Sequence, residues 1–165
     1  MHVPAPPAWR PMRPADFRAC ARIERASRPP LAPEGKALFA NRLGLFPAGC
    51  LVVDVAVGSY AVAHPWAGPA PALGTPLAAL PDAPDQLFLH DVALQPDLRW
   101  LGLVASLLRL REGVVRALGL WVARLTAVHG TVPMWERLGF VLDGGMAAAG
   151  YGEHAAGMRR TLPAA

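Results

Sequence analysis

His90 and Asp91 stand side by side in QLFLHDVAL, an otherwise apolar run. An imidazole changes charge near pH ~6.5 and suits proton transfer at neutral pH; a neighbouring carboxylate is its rival for that task. Successive strand residues face opposite sides of a sheet, so at most one of the two is expected to face a given site. Shortly afterwards Arg99-Trp100-Leu101-Gly102-Leu103-Val104 opens a long apolar-striped segment. A helix starting there leaves backbone N–H groups without helical partners, and such ends attract anions, phosphates above all. The dipole adds about 0.3–1 kcal/mol for a surface charge. His64, in AHPW, either lines a site or anchors the loop that follows it. Other chemistries are poorly supported. The five histidines and two cysteines show no metal-ligand spacing, so no metal is expected. There is no G-x-S-x-G elbow and no phosphate loop ending in G-K-S/T.

The elements that must position these residues follow from periodicity and punctuation. Residues 1–8 are Pro-rich and read as a loose terminus, leaving 9–165 as one domain. Trp9–Arg13 reads as a short strand that Pro11 marks as an edge. Asp16–Ala26 reads as an amphipathic helix, stopped by Pro29, Pro30 and Pro33. Glu34–Leu45 reads as a second helix. Gly49–Val57 and Ser59–His64 read as a hairpin around Gly58. The six prolines of residues 65–85 make a loop, long enough to suggest function. Gln86–Leu94 reads as a central strand buried on both faces, ended by Pro96. Leu101–Leu118 is the longest helix, Trp121–Val128 a strand, and Thr131–Leu138 a short helix stopped at Gly139. Phe140–Leu142 and Gly157–Thr161 supply two last strands. The order βααβββαβαββ is mixed α/β.

Composition narrows the setting. A chain of 165 residues that is 53% hydrophobic can bury a core as one domain. The net charge of +4 comes from scattered arginines, with Lys36 the sole lysine. Without a clustered basic stripe, nucleic-acid binding is not expected. No apolar run is long enough to span a membrane, and MHVPAPPAWRPMRPAD lacks the apolar stretch of a signal peptide. Two cysteines make no disulfide framework, and a cytoplasmic location is the default expectation.

The strand, turn and helix around Arg99 and Gly102 resemble the GNAT superfamily of acetyl-CoA-dependent N-acetyltransferases, where the turn reads Arg/Gln-x-x-Gly-x-Gly/Ala. Arg99 and Gly102 match; Trp100 stands where many members have Gly, and Val104 replaces the final small residue. RLTAVHGTVPMWERLGF is similar to a second family block: His129 sits near an Asn-like position, Trp135 at a frequent Tyr position, and Gly139-Phe140 matches. WRPMRPADFRACARIERA is a third, weaker match. The resemblance spans about residues 9–161.

The resemblance implies a mixed, mostly antiparallel central sheet flanked by helices and splayed at the acetyl-CoA site. It implies direct acetyl transfer from acetyl-CoA to an amine, with no acyl-enzyme. The cosubstrate would lie along Val92, Ala93 and Leu94, amides around Val92 and Ala93 polarising the thioester. Arg99, Trp100, Leu101, Gly102, Leu103 and Val104 would hold the pyrophosphate, with His129 and Trp135 nearby. His90 is the candidate base and Asp91 its rival; a backbone-bonded core histidine and a capping or ion-paired carboxylate are the structural alternatives. Trp135 cannot serve as the family's acidic Tyr, since its indole N–H is no acid at neutral pH, and packing is its structural role. Tyr151 is the nearest spare phenol. Glu24, on the first helix, would border the acceptor cleft or lie on a solvated helix face. The loop 65–85, the first two helices and the end around Tyr151 would shape a pocket for a small-molecule amine, or for a protein amine. A monomer or homodimer is expected. The alternative function is a catalytically inactive binding module of the same fold.

Overall fold

The computed structural model describes residues 7–27, 31–53, 57–99, 102–144 and 149–162. Among these residues seven strands form one sheet: β1 (Trp9–Pro11), β2 (Cys50–Val53), β3 (Ser59–Trp66), β4 (Gln86–Leu94), β5 (Val122–Ala127), β6 (Val141–Leu142) and β7 (Ala156–Thr161). Their spatial order is β1-β2-β3-β4-β5-β7-β6. Every pairing is antiparallel except β4 with β5. The helices are α1 (Phe17–Ser27), α2 (Lys36–Leu45), α3 (Leu103–Ala117) and α4 (Val132–Arg137). The element order is the one read from the sequence, and β1, with its proline, is an edge.

Each face of the sheet carries its own core. On one, Ala63, Leu87, Leu89, Leu125 and Met158 pack with Leu108 and Val115 of α3, Trp135 of α4 and Phe140. On the other, Val52, Tyr60, Val62 and Ala93 pack with Cys20, Ala21 and Ile23 of α1 and Phe39 of α2. A third small cluster joins Val53, Leu98 and Leu103, with Trp9 and Leu94 against it. The central strand is thus covered on both sides, which is why its sequence is apolar without alternation.

Several boundaries differ from the sequence expectation, and two matter for the site. The second helix begins at Lys36, not Glu34, because Gly35 adopts φ +78 and ends the preceding loop in a conformation that glycine favours. Glu34 is therefore a loop residue. The long helix begins at Leu103, with Gly102 at φ +66 just before it; Trp100 and Leu101 lie outside the described residues. The first hairpin strand runs Cys50–Val53, shorter than expected, and residues 54–56 are outside the described set. The next strand continues through Pro65 to Trp66. Among the described residues no helix is long and apolar enough to cross a membrane.

Candidate active site

The site starts from an irregularity in β4. Val62 of β3 pairs with Asp91 and Ala63 pairs with Leu89, so His90 is the extra residue of a β-bulge. A bulge interrupts the alternation of side chains and re-aims the residues beside it. His90 and Asp91 consequently face the same side of the sheet, the side covered by α1 and α2. The Tyr60 hydroxyl, on that side, donates to Asp91 Oδ2, and His90 Nε2 lies 2.7 Å from Glu34 Oε2 in the loop before α2. The expectation that at most one of the pair would face a given site is corrected by this bulge.

Around the bulge lies a buried polar cluster. Glu24 is 0% exposed, not solvated: its Oε1 accepts the Glu34 backbone N–H at 2.8 Å and its Oε2 that of Gly35 at 3.0 Å. Glu34 Oε1 accepts the Gly74 N–H at 2.8 Å, tying the 67–85 loop to the same carboxylate. One oxygen from each of Glu24, Glu34 and Asp91 lies within 4.8 Å of the others, and all three carboxylates accept hydrogen bonds from the protein. Arg42 of α2 is 2% exposed and donates to the Asn41 side chain and the Thr75 carbonyl. Burial lowers its pKa, while Glu34 and Tyr151 oppose the fall. Tyr151, after the segment that runs beside Leu73, is buried.

His64 sits on the same face, its ring centroid 6.1 Å from that of His90. Its Nδ1 is 3.1 Å from the Pro65 carbonyl, an acceptor, so Nδ1 carries the proton. Burial pushes His64 down to about 4, with His90 and Arg42 adding to the fall and the Pro65 contact opposing it. Cys20 and Cys50 are fully buried, and burial pushes their thiols up to about 12 and about 11. Neither is a thiolate at neutral pH.

Beside the cluster the sheet opens. The β4–β5 ladder ends at Leu89↔Leu125, yet β4 runs on to Leu94 and β5 to Ala127. The Gln95 N–H reaches Gly58 and the Ala93 carbonyl accepts the Ser59 hydroxyl, so Ala93 turns its backbone toward β3. Backbone groups alternate along a strand, which leaves those of Val92 and Leu94 directed to the open side. Arg99 is exposed and its Nε lies 3.4 Å from the Leu94 carbonyl. Gly102 is exposed at the start of α3, next to the helix's unpaired N–H groups. The Leu103 side chain is buried in the cluster with Val53 and Leu98, and Val104 packs on the main core. Neither side chain occupies the space in front of the helix end. His129 is exposed in a turn at φ +53, and Trp135 is in the core, edge-on to Phe140 at 5.4 Å. Trp135 has the packing role.

Over the paired start of β4 and β5, a groove of about 470 Å³ is lined by Gly68, Gln86, Phe88, Arg124, Thr126 and Asp143, among others. Arg124 and Asp143 pair across it at 3.2 Å. Gln86 donates to the Gly68 carbonyl at 2.8 Å, fixing the loop over one end. Phe88 links groove to cluster, its ring centroid 5.8 Å from His64 and 6.1 Å from His90. Of this site the sequence reading had His90, Asp91, Glu24 and Tyr151; it missed Glu34, Arg42 and Tyr60, which no local pattern marks.

No protein-family model and no curated protein sequence matches the chain. Solved structures do. A GNAT-like decarboxylase, GphF, in complex with isobutyryl-CoA aligns with TM-score 0.74 at 19% identity, covering 94% of this chain and 100% of its own. Ard1 from Thermoplasma volcanium aligns with TM-score 0.73 at 16% identity, covering 97% and 100%. The ribosomal-protein-S18-alanine N-acetyltransferase from Escherichia coli aligns with TM-score 0.63 at 18% identity, covering 96% of each chain. Likeness at such identities speaks for the fold, and on that ground, with the parted β4 and β5 and the helix opening at Gly102, the chain has the fold of the GNAT superfamily.

Proposed function

We propose that this protein is a CoA-dependent acyltransferase that moves an acetyl group from acetyl-CoA to the amine of a small molecule. One observation carries the reading: β4 continues to Leu94 after its pairing with β5 has ended at Leu89, beside the N-terminus of α3. An unpaired strand edge next to a helix end suits a ligand with an amide-bearing arm and a phosphate head. The residues fit such a ligand. Val92 and Leu94 direct backbone groups to the open side, Gly102 places no side chain before the helix end, and Leu103 and Val104 turn inward.

Bound acetyl-CoA would supply an activated acyl group and a thiolate that leaves. The chain's own residues do the rest. The α3 amides and Arg99 hold the phosphate head, and the open β4 edge holds the arm. His90 takes the proton that the attacking amine must lose, and Asp91 keeps its bond to Tyr60. The thiolate is reprotonated by Tyr151 or by solvent. The groove of about 470 Å³ has the size of a small-molecule pocket. A protein N-terminal amine is the other acceptor class, in line with the name of the E. coli neighbour.

A second reading, a module that binds CoA without turnover, draws on burial: His90 is 6% and Tyr151 5% exposed. One experiment separates the readings. Thermal unfolding is followed with acetyl-CoA and CoA from micromolar to millimolar, then thiol release with a panel of amines. Saturation at about 100 times the dissociation constant adds about 2.7 kcal/mol of stability. A shift with amine-dependent thiol release supports transfer, a shift without it supports the binding module, and no shift at millimolar ligand sinks both.

A further inference from the structure

We propose that Glu34 is the positioning residue of this site: it holds the His90 ring as its Nε2–H tautomer and leaves Nδ1 as the one basic atom. The functional part of this inference rests on the acyltransferase reading above; the structural part stands without it.

The Glu34 and His90 side chains are 5% and 3% exposed and meet at 2.7 Å, Oε2 to Nε2. An ionised carboxylate only accepts hydrogen bonds, so the imidazole proton belongs on Nε2. Nδ1 is buried and has no hydrogen-bond partner among the described residues. A ring held at one nitrogen keeps its lone pair on the other in a fixed direction, which is what a general base needs. In a buried setting such a bond is also electrostatically stronger than in water.

Glu34 is itself held on every side. Its backbone N–H and that of Gly35 are taken by Glu24, at 2.8 and 3.0 Å, and its second oxygen takes the Gly74 N–H at 2.8 Å. Gly35, at φ +78, makes the turn that ends the loop before α2 begins. Thus α1, the loop before α2 and the 67–85 loop converge on the carboxylate that aims His90. Asp91, Glu24, Arg42, His64 and Tyr151 also belong to this cluster, but among the described residues Glu34 supplies the polar contact to the His90 ring.

The test is nitrogen-15 NMR of the imidazoles, with His90 assigned by its loss in His90→Gln. At a pH where imidazoles are neutral, the wild type is expected to show a single Nε2–H tautomer at His90. In Glu34→Gln the side-chain amide can donate as well as accept, so the single tautomer is lost. With it kcat falls about 10²-fold while KM for acyl-CoA stays within about twofold. An Nδ1–H tautomer in the wild type overturns the proposal, and this measurement needs no variant to fold. A Glu34→Gln protein that keeps both the Nε2–H tautomer and a kcat within about twofold also overturns it. Should the wild type transfer no acyl group, loss of the tautomer in Glu34→Gln still upholds the hold on His90 and sinks the acyltransferase reading instead.

Discussion

His90 and Asp91 are neighbours in the chain and neighbours in space on one face of the sheet, because His90 is the unpaired residue between the Ala63↔Leu89 and Val62↔Asp91 pairs. A regular strand would have sent one of them into the α3 side. The two side chains have different partners there: His90 meets Glu34, and Asp91 accepts from Tyr60. Their roles separate experimentally. His90→Ala is expected to lower kcat by about 10²–10⁴ and, because it leaves the buried Glu34 Oε2 without its partner, to cost about 1–3 kcal/mol of stability as well. Asp91→Asn weakens a charge-assisted hydrogen bond and is expected to cost about 1–3 kcal/mol of stability, with the smaller effect on kcat. Thiol-release kinetics and urea unfolding of both variants check this, and the opposite pattern would make Asp91 the base.

Glu24 should matter for stability rather than for chemistry. Its two oxygens take the N–H groups of Glu34 and Gly35 in a place without exposure to water. Glu24→Ala leaves both donors without their acceptor, at a cost of about 2 kcal/mol or more. Urea unfolding measures it; a loss under about 0.5 kcal/mol, the level of an ordinary surface change, would show that the loop holds without Glu24.

The turn before β2 is locked from two sides. A Cβ at Gly49 would sit 1.8 Å from the Ala63 carbonyl oxygen, a backbone atom that cannot step aside. Gly49→Ala is therefore expected to cost about 3 kcal/mol, the range for overpacking a tight core. Arg111, 3% exposed on α3, donates to the carbonyls of Ala48 and Gly49 at 2.6 and 2.7 Å. Arg111→Met leaves both carbonyls unpaired, at about 1–3 kcal/mol. The double variant should lose less than the sum, since both act on one turn. Thermal or urea unfolding of the three proteins decides; full additivity would mean two independent sites.

His64 makes stability depend on pH. Its folded pKa, pushed down by burial to about 4, lies below the ordinary imidazole value of 6.5. Between those values the unfolded chain binds a proton that the folded one refuses, so stability falls as pH drops from 6.5 toward 4 and this contribution levels off below. The slope from one such group is about 1.4 kcal/mol per pH unit. His64→Phe, compared with wild type by urea unfolding across that window, should lack this slope. Equal slopes in the two proteins would mean that His64 charges in the folded state.

What the sequence determined by itself was local. The order of elements, the bounds of β4 and the edge at Pro11 all follow from periodicity and from residues that act on their own backbone. The fold of the GNAT superfamily was legible only through the resemblance carried by Arg99, Gly102 and Gly139-Phe140. The tertiary structure decided the site. Glu34 reads as the first residue of a helix, yet Gly35 places it in a loop 56 residues from its partner His90. The bulge is a mismatch of register between β3 and β4, visible in neither strand alone. Glu24 and Arg42 are charged residues of types that usually meet water, and only the loops folded over α1 and α2 enclose them. Local pattern fixes which backbone forms; which buried charge finds which partner is settled when distant segments close over one another and remove the water between them.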